Sequence, residues 1–305
     1  APLCIRGAGS KDFYGNAPQG EILDVRAHRG IVAYEPTELF ITARCGTPLA
    51  EIEAALAANG QCLPFEPPRF SPDSTIGGVV AAGLSGPRRA SAGSVRDYVL
   101  GVKLLDGAAR ELNFGGQVMK NVAGYDVSRL IAGSLGTLGL ILDVSLKVLP
   151  RPVAESTLRF EMDEAAALDR LNRWAALPLP IVASAWEAGT LTLKLAGARA
   201  AVEAAEQKLA GQKPGSGATA FWDELRDQKS PFFAGDTPLW RLSVPSVAPP
   251  LDLSGETLIE WGGALRWLHS DATAATSRAA AARAGGSATL FRADAALTRR
   301  YNEEL

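Results

Sequence analysis

Hydrophobic and polar positions divide the chain into two regions with different patterns. The region from residue 1 to 150 is rich in glycine and in short apolar runs typical of strands, such as EILDV, GIVAYEP and LFITARCG. The stretch TPLAEIEAALAANG predicts a helix with one apolar face, an N-cap at Thr47 and an end at Gly60. The stretch YVLGVKLLDGAARELNF predicts a hairpin that turns at Asp106 and Gly107.

The last apolar run of the first region alternates between apolar and polar residues from Leu142 onward. Even positions from Leu140 to Val148 are apolar, whereas Asp143, Ser145 and Lys147 are polar. A period of two predicts a strand that is buried on one face and exposed on the other. The run ends at PRP, residues 150–152, which is the predicted domain boundary.

After this boundary, in residues 151–305, alanine-rich helical stretches alternate with strands. MDEAAALDRLNRWAAL, ARAAVEAAEQKLAG and DATAATSRAAAARAGG are predicted helices, and IVASAWEAG, TLTLKLAG, PLWRLSVP, LIEWGGALRWLHS and ATLFR are predicted strands. This order of elements predicts an α+β fold with an antiparallel sheet and helices on one of its faces.

Composition narrows the function classes. The 305 residues are 47% hydrophobic, which is enough for the buried cores of two domains. The net charge is -2, so the chain has no strong positive field that would attract nucleic acid. Three cysteines without C-x-x-C spacing favour reduced thiols in a cytoplasmic protein, and two histidines exclude a polyhistidine metal site. No run of about 20 apolar residues is available to span a bilayer. The absence of an initial Met suggests that terminal residues are missing, and the C-terminal segment is expected to be incomplete.

Glycine-rich segments occur at three places in the first region: IRGAGSKDFYG, SPDSTIGGVVAAGLSGPRRASAGSVRDYVLG and GYDVSRLIAGSLGTLGLILDVSLKVLP. Exposed backbone N–H groups in glycine turns form anion-binding concavities that suit a phosphate. The first segment is neither a Walker A loop nor a Rossmann fingerprint, whose third glycine would fall on Asp12. Taken singly, the first segment is equally explained as a tight turn, whereas three evenly placed glycines in the third are more than a helix-to-strand turn needs. Arg88 and Arg89 are interpreted as solvated surface residues.

In combination, the three segments resemble the pyrophosphate loops of the FAD-binding domain in the vanillyl-alcohol oxidase and p-cresol methylhydroxylase (PCMH) family. The stretches LPFEPP, AGLSGPRR, GSVRDYVLG, FGGQVMKNVAGYD and WGGALRWL are similar to those of the E subunits of bacterial glycolate oxidases. The resemblance implies a two-part FAD-binding PCMH-type domain over residues 1–150 and an α+β cap, similar to a substrate domain, over residues 151–305.

The resemblance also implies cofactor-binding residues. The first loop would wrap the FAD pyrophosphate, the second would cover it, and the third would lie near the adenine. Two further segments, Ser94 to Asp97 and Lys120 to Asp126, would approach the flavin, and Lys120 could stabilise reduced flavin or be a surface lysine. The implied residues are Gly7, Ala8, Gly9, Ser10, Thr75, Gly77, Gly78, Ser94, Asp97, Lys120, Gly136, Gly139, Leu140 and Ile141.

Two departures from the family pattern affect the expected chemistry. No histidine stands in SKDFYG beside the first loop, so FAD is expected to be bound non-covalently. Hydroxy-acid-oxidising relatives with a metal place several histidines in the second domain, where this chain has His269 alone, so no metal is expected. An independent substrate site would need a cation, for which Arg241 and Arg266 are candidates, and a base, for which His269 is the candidate.

Three functions remain open from the sequence. The first is an FAD-binding subunit with a role in electron transfer or assembly in a complex that oxidises glycolate to glyoxylate. Its implied partners are a flavin-bearing D subunit and an iron-sulfur F subunit that passes electrons towards the quinone pool, in the cytoplasm or peripherally at the inner membrane. The second is a self-contained FAD-dependent 2-hydroxy-acid oxidoreductase. The third is a scaffold without flavin. The tryptophans beside Arg241 and Arg266 favour interface anchors over a substrate site.

Overall fold

The computed structural model of the chain describes residues 1–16, 18–116 and 125–294. The chain forms two compact units: unit 1 comprises Ala1–Asp12, Ala17–Gly86 and Ala92–Arg151, and unit 2 comprises Phe13–Asn16, Pro87–Ser91 and Pro152–Leu305. The main division lies within the PRP sequence. The hydrophobic pattern did not predict that the short segments Phe13–Asn16 and Pro87–Ser91 belong to unit 2.

Unit 1 and the segments inserted in it contain short strands and short helices. The strands are β1 (Leu3–Arg6), β2 (Glu21–Asp24), β3 (Ile31–Glu35), β4 (Phe40–Arg44), β5 (Gln61–Cys62), β6 (Val99–Leu105), β7 (Glu111–Gly115), β8 (Leu140–Lys147) and β9 (Leu149–Pro150). The helices are α1 (Leu49–Ala58), α2 (Ile76–Ala82), α3 (Arg89–Ala92) and α4 (Val127–Leu130), with a 3-10 turn at Val95–Asp97. The hairpin predicted around Asp106 is present as β6 and β7.

The main sheet of unit 1 has the strand order β3-β4-β8-β6-β7, and a separate parallel pair joins β1 to β2. Strand β8 is therefore central, and its polar face is less exposed than predicted, because Asp143 and Lys147 on that face are half-buried. Ser145 is buried and its hydroxyl lies 2.8 Å from the hydroxyl of Thr42 on β4, so the polar position is satisfied inside the protein. Periodicity alone does not reveal what covers the second face of a strand.

Helix α1 begins one residue later than its sequence signals predict. Pro48 is the N-cap, and the Thr47 hydroxyl does not cap the helix. This hydroxyl instead accepts a hydrogen bond from the N–H of Gly30 at 2.9 Å and donates to the carbonyl of Arg44 at 2.7 Å. A tertiary contact thus replaces the local cap, and Thr47 connects β4 to the turn before β3.

Unit 2 contains a seven-stranded antiparallel sheet in the order β10-β12-β11-β14-β15-β13-β16. Its strands are β10 (Ala154–Glu161), β11 (Ile181–Glu187), β12 (Thr190–Gly197), β13 (Leu239–Ser243), β14 (Glu256–Glu260), β15 (Leu265–His269) and β16 (Ser287–Arg292). Its helices are α5 (Glu164–Ala175), α6 (Arg199–Leu209), α7 (Ala218–Arg226) and α8 (Ala274–Arg283). The predicted α+β architecture with an antiparallel sheet is confirmed.

Helices cover both faces of this sheet, contrary to the prediction of a single covered face. Residues of α5 and α6 pack on the leucines of β12, and α8 packs on the same sheet face at the other end. Helix α7 contributes Trp222, whose indole N–H donates to the Thr157 hydroxyl at 3.0 Å. Thr157 pairs with Lys194, whose side chain points away from the leucines of β12, so α7 covers the second face.

Candidate functional site

The first glycine segment of unit 1 leaves β1 as a tight turn. Gly9 has a φ of +69°, a conformation that glycine adopts without strain, and the N–H of Asp12 donates to its carbonyl at 3.1 Å. Arg6 forms an ion pair with Asp12, with 2.5 Å between guanidinium nitrogen and carboxylate oxygen. The charges at the two ends of this turn therefore neutralise each other.

The first and second glycine segments lie against each other around Thr75. The Thr75 hydroxyl caps α2 by accepting from the N–H of Gly78 at 3.4 Å. The same oxygen lies 2.5 Å from the point where a Cβ atom on Gly7 would stand, so only glycine fits there. The hydroxyls of Ser10 and Ser74 lie 3.4 Å apart and join the two segments a second time.

The third glycine segment meets the other two in unit 1. The N–H of Leu135 donates to the carbonyl of Ala81 in α2 at 2.9 Å. A Cβ atom on Gly136, where φ is +78°, would lie 3.5 Å from the side chain of Ile5 in β1. The three segments named from the sequence thus converge around α2 and the end of β1.

Two of the glycines in these segments have a packing explanation that the sequence did not reveal. A Cβ atom on Gly77 would stand 2.6 Å from the Cβ of Cys45, and the Gly77 N–H donates to the Cys45 carbonyl at 2.8 Å. Gly139 has a φ of +140°, and a Cβ atom there would lie 2.6 Å from the carbonyl oxygen of Leu105. Close approach of neighbouring backbone therefore requires glycine at both positions. By contrast, a Cβ atom on Gly78 would meet only the Thr75 hydroxyl, at 3.3 Å.

The other residues implied for the cofactor have different environments. Ser94 donates to the Asp97 carboxylate from its backbone at 2.8 Å and from its hydroxyl at 2.9 Å. Burial alone would raise the pKa of Asp97, but these hydrogen bonds outweigh it and leave the pKa below its ordinary value. Leu140 and Ile141 begin β8 and pair with β6. Lys120 lies outside the described residues.

Lys11 is a site residue that the sequence reasoning missed. Its ammonium group donates to the hydroxyl of Ser74 at 2.9 Å and to that of Ser10 at 3.3 Å, where the first two glycine segments meet. Burial lowers the pKa of Lys11 from 10.5 to about 8. Only its position directly after IRGAGS could have indicated it.

In unit 2, the position of Arg266 corrects its prediction as a substrate-binding cation. The residue is 1% exposed, and its guanidinium donates to the carbonyls of Gly263 at 3.3 Å, Pro249 at 2.6 Å and Ala248. A carboxylate oxygen of Glu164 lies 3.8 Å away. The donors of Arg266 are thus committed to the loops that flank β14 and β15.

His269 does not have the surroundings of a catalytic base either. Its Nδ1 lies 2.9 Å from the carbonyl oxygen of Thr237, so Nδ1 carries a proton and donates it. Its Nε2 is buried and has no hydrogen-bond partner among the described residues. The ring packs on Phe232, with 5.0 Å between ring centroids. A base must reach the proton it removes, and this buried nitrogen is enclosed by the fold.

Of the three residues proposed for a substrate site, Arg241 has the environment that best fits binding of an anion. It pairs with Trp267 across the strands and shares a sheet face with Trp267 and His269, whereas Arg266 points to the other face. Its guanidinium carbon lies 5.4 Å from the centroid of the Trp261 ring, and that of Arg89 lies 4.5 Å from it. Burial lowers the pKa of Arg241, and the nearby positive charge of Arg89 acts in the same direction. The Glu260 carboxylate acts in the opposite direction, although the guanidinium of Arg241 makes no hydrogen bond or ion pair within the described residues.

Three other features of the described residues bear on the site. Cys4, Cys45 and Cys62 form no disulfide bond, and burial raises the pKa of Cys45 to about 11. Residues 1–16, 18–116 and 125–294 contain no group of three or more His, Cys, Asp or Glu that could hold a metal ion. None of the helices in these ranges is both long and apolar enough to cross a membrane.

Comparison with known proteins identifies the family. Residues 1–115 match the family described as FAD binding domain. The chain is 52% identical to the glycolate oxidase subunit GlcE of Escherichia coli strain K12 over 292 residues, which is 96% of this chain and 83% of that protein. It is 32% identical to the glycolate oxidase subunit GlcD of Bacillus subtilis strain 168 over 170 residues, 54% of this chain and 36% of that protein.

Structural comparison supports the fold independently. A solved structure of alkyldihydroxyacetonephosphate synthase superposes with a TM-score of 0.57 at 16% identity, covering 79% of this chain and 53% of the synthase. The chain therefore spans about half the length of that enzyme, and the likeness concerns the fold alone. Together these findings confirm the resemblance seen in the sequence and identify FAD as the cofactor. The chain belongs to the family of the glycolate oxidase subunit GlcE, with an FAD-binding domain of the PCMH type.

Proposed function

We propose that this chain is the FAD-binding E-type subunit of a complex that oxidises glycolate to glyoxylate, and that it transfers electrons or holds the complex together. Its partners would be a D-type flavin subunit and an F-type iron-sulfur subunit that passes electrons towards the quinone pool. The complex would act in the cytoplasm, and any contact with the inner membrane would be peripheral and made through the complex. The names of the E. coli and B. subtilis relatives support the substrate and the existence of several subunits.

The residues of unit 1 fit an FAD pyrophosphate. The three glycine segments converge, Gly78 has room for a ligand on its Cβ side, and the Lys11 ammonium has hydroxyl partners but no counter-charge. Gly7, Ala8, Gly9 and Ser10 are proposed to bind the pyrophosphate on one side, with Thr75 and Gly78 on the other. Lys11 is the only ionisable group among the residues numbered 7 to 11, and none of these is a histidine that could attach flavin covalently.

Bound FAD supplies the capacity to accept and release electrons, and the protein supplies position and electrostatics. The chain's own contribution in unit 1 is to orient the dinucleotide by close backbone approach. Gly77 and Gly139 act indirectly, because they let the backbone of α2 and β8 pack closely on neighbouring strands. Gly136, Leu140 and Ile141 remain proposed for the adenine end.

One observation favours electron transfer or assembly over independent catalysis. The base and one of the two cations proposed for a substrate site are committed to the structure of unit 2. Arg266 donates to backbone carbonyls, and His269 Nε2 is buried beside Phe232. A hydroxy-acid oxidation requires a group that accepts the hydroxyl proton, and neither residue offers one.

A second candidate function rests on Arg241. Its desolvated guanidinium, with Arg89 on the same tryptophan ring, is suited to hold a carboxylate. If the base came from outside the described residues, the chain could oxidise a small 2-hydroxy acid by itself. The third function, a scaffold without flavin, is not favoured, because residues 1–115 match an FAD-binding domain family.

The two functions differ in what glycolate does to the chain alone. The chain, loaded with FAD and kept anaerobic, is mixed with glycolate while the flavin absorbance is followed. Under the proposed function the flavin stays oxidised and is reduced only after the D-type subunit is added. Bleaching by glycolate without that subunit, and its loss in Arg241→Met, would establish the second candidate instead. An F-type subunit that never copurifies with the chain would contradict the proposed partners.

A further inference from the structure

Lys11 places a positive charge where the first two glycine segments of unit 1 meet. Its Nζ lies 2.9 Å from the hydroxyl oxygen of Ser74 and 3.3 Å from that of Ser10, and 5.7 Å from the centroid of the Phe70 ring. Ser74 is fully buried, so the end of the lysine side chain reaches into the protein. The two hydroxyls and the aromatic ring are all neutral partners.

The ammonium group has no counter-charge within the described part of the chain. No carboxylate lies within ion-pairing distance of its Nζ, and the nearest acidic residue in sequence, Asp12, is paired with Arg6. An ammonium group that is removed from water without an anion is costly, and proteins rarely retain one unless it has a role. The lowered pKa of Lys11, about 8, reflects the same desolvation.

The two hydroxyls define how an anion would be recognised here. A lysine ammonium has three hydrogens, of which two are directed at Ser74 and Ser10. The third is available for an anion, and the serine hydroxyls can turn their own hydrogens towards the same ligand. A phosphate oxygen satisfies this arrangement because it accepts several charge-assisted hydrogen bonds at once.

We infer that Lys11 is a phosphate-binding residue of the flavin site, whose ammonium group, held by Ser10 and Ser74, bonds the pyrophosphate of FAD. The inference rests on the flavin site of the proposed function and adds a phosphate-binding cation to that site. Backbone N–H groups alone would leave the two negative charges of the pyrophosphate without a formal counter-charge. Lys11 supplies one positive charge to them.

Dissociation constants measured for FAD, ADP and riboflavin test the inference. The chain, its Lys11→Met and Lys11→Arg variants and a control, Lys103→Met, are compared; Lys103 is paired with Glu111 at 2.8 Å on the β6–β7 hairpin. Lys11→Met should weaken FAD and ADP roughly 10- to 100-fold and leave riboflavin unchanged, because riboflavin has no phosphate. Lys11→Arg should recover part of the loss, and the control should bind like the parent chain.

The pH dependence supplies a readout that a merely structural role would not give. Between about pH 7 and pH 9.5, FAD affinity of the parent chain should fall as Lys11 loses its proton, by at most tenfold per pH unit. In Lys11→Met this dependence should disappear. Thermal unfolding of the variants without ligand establishes that they are folded.

Three outcomes would overturn the inference. These are a folded Lys11→Met that binds FAD within about threefold of the parent, an equal loss of FAD and riboflavin, and an unchanged pH dependence. An equal loss of FAD and riboflavin would indicate contact with the flavin ring rather than with phosphate. Failure of the parent chain itself to bind FAD is a separate result, because it would contradict the proposed function and not the role of Lys11 alone.

Discussion

The hydroxyl oxygen of Thr75 lies 2.5 Å from the point where a Cβ atom on Gly7 would stand. Real Cβ atoms do not approach an oxygen so closely, so a side chain at residue 7 would separate the first two glycine segments. The same hydroxyl caps α2 through the N–H of Gly78. The loop that leaves β1 and the start of α2 are therefore coupled through one side chain, and flavin binding should depend on that coupling.

Gly7→Ala should lower both the stability of the chain and its FAD affinity, because the added methyl group displaces Thr75. A double-mutant cycle with Thr75→Ala tests the cause. Removal of the hydroxyl costs about 1 kcal/mol of cap energy, but it leaves only the Thr75 Cβ near the new methyl group, at 3.4 Å. The double variant should therefore be more stable than the sum of the single effects by about 1 kcal/mol in urea unfolding. Strict additivity would mean that the two residues do not clash.

The adjacent glycines of α2 should respond to alanine in opposite ways. Gly77→Ala should destabilise the chain, because its methyl group would stand 2.6 Å from Cys45 Cβ and 2.9 Å from the Cys45 carbonyl oxygen. Gly78→Ala should keep or raise the stability without ligand by up to about 1 kcal/mol, since alanine is the better helix former. Its effect should appear instead as weaker FAD binding.

The larger Gly78→Val should abolish FAD binding while unit 2 stays folded. Thermal unfolding and FAD titration of the three variants check these expectations. If Gly78→Val retains full flavin, the second segment does not cover the pyrophosphate. If Gly77→Ala is as stable as the parent chain, the contact with Cys45 is not what requires glycine there.

The sequence could predict most strands and helices and the three glycine segments, because these depend on local pattern and on glycine's backbone freedom. It could not predict how each glycine is used. Gly77 and Gly139 face backbone atoms of Cys45 and Leu105 that are distant in the chain. The prediction for Arg266 failed for the same reason. In the sequence ALRWLH this arginine resembles a ligand-binding cation, but in the fold it donates to backbone carbonyls. Chemistry inferred from residue type fails where a tertiary contact satisfies the residue.

Arg266→Met should destabilise unit 2 by about 2–4 kcal/mol, because the variant leaves buried backbone carbonyls without a donor. FAD affinity should not change. Arg173→Met is a matched control on α5, since Arg173 is exposed and pairs with Asp169 at the surface. Urea unfolding followed by tryptophan fluorescence distinguishes the variants. A stable Arg266→Met chain that loses glycolate-dependent activity in the assembled complex would restore Arg266 as a substrate residue.

The Ser94–Asp97 pair should make stability depend on pH. The pKa of Asp97 is lowered in the folded chain, so its contribution is complete above the unfolded value of about 3.9 and is lost as pH falls through the folded value. Ser94→Ala removes one of the two hydrogen bonds and should shift the loss of stability to higher pH. Melting temperatures from about pH 3 to pH 7 measure this shift, with Asp97→Asn as the variant that should lack it. Unchanged FAD affinity in Ser94→Ala would restrict any contact with flavin to the backbone.

Arg241 provides the sharpest distinction between the two candidate functions. Burial is the largest influence on the Arg241 guanidinium and outweighs the attraction of the Glu260 carboxylate, so Arg241→Met should unfold at a higher temperature than the parent. Under the proposed function, Arg241 and Trp261 anchor a partner, and the variant should bind the D-type subunit more weakly. Arg170→Met is the matched control, because the guanidinium carbon of Arg170 lies 5.8 Å from the Trp174 ring centroid on the exposed part of α5.

Calorimetry with oxalate, a dicarboxylate related to glycolate, measures whether Arg241 binds a small carboxylate ligand. Oxalate binding to the chain alone that disappears in Arg241→Met, with unchanged binding of the D-type subunit, would assign the arginine to substrate. Weakened assembly without oxalate binding would assign it to the interface. The buried guanidinium of Arg241 forms no hydrogen bond or ion pair with a described residue, so either a carboxylate ligand or an acidic partner surface should bind it. An Arg241→Met chain that is less stable than the parent would contradict both assignments.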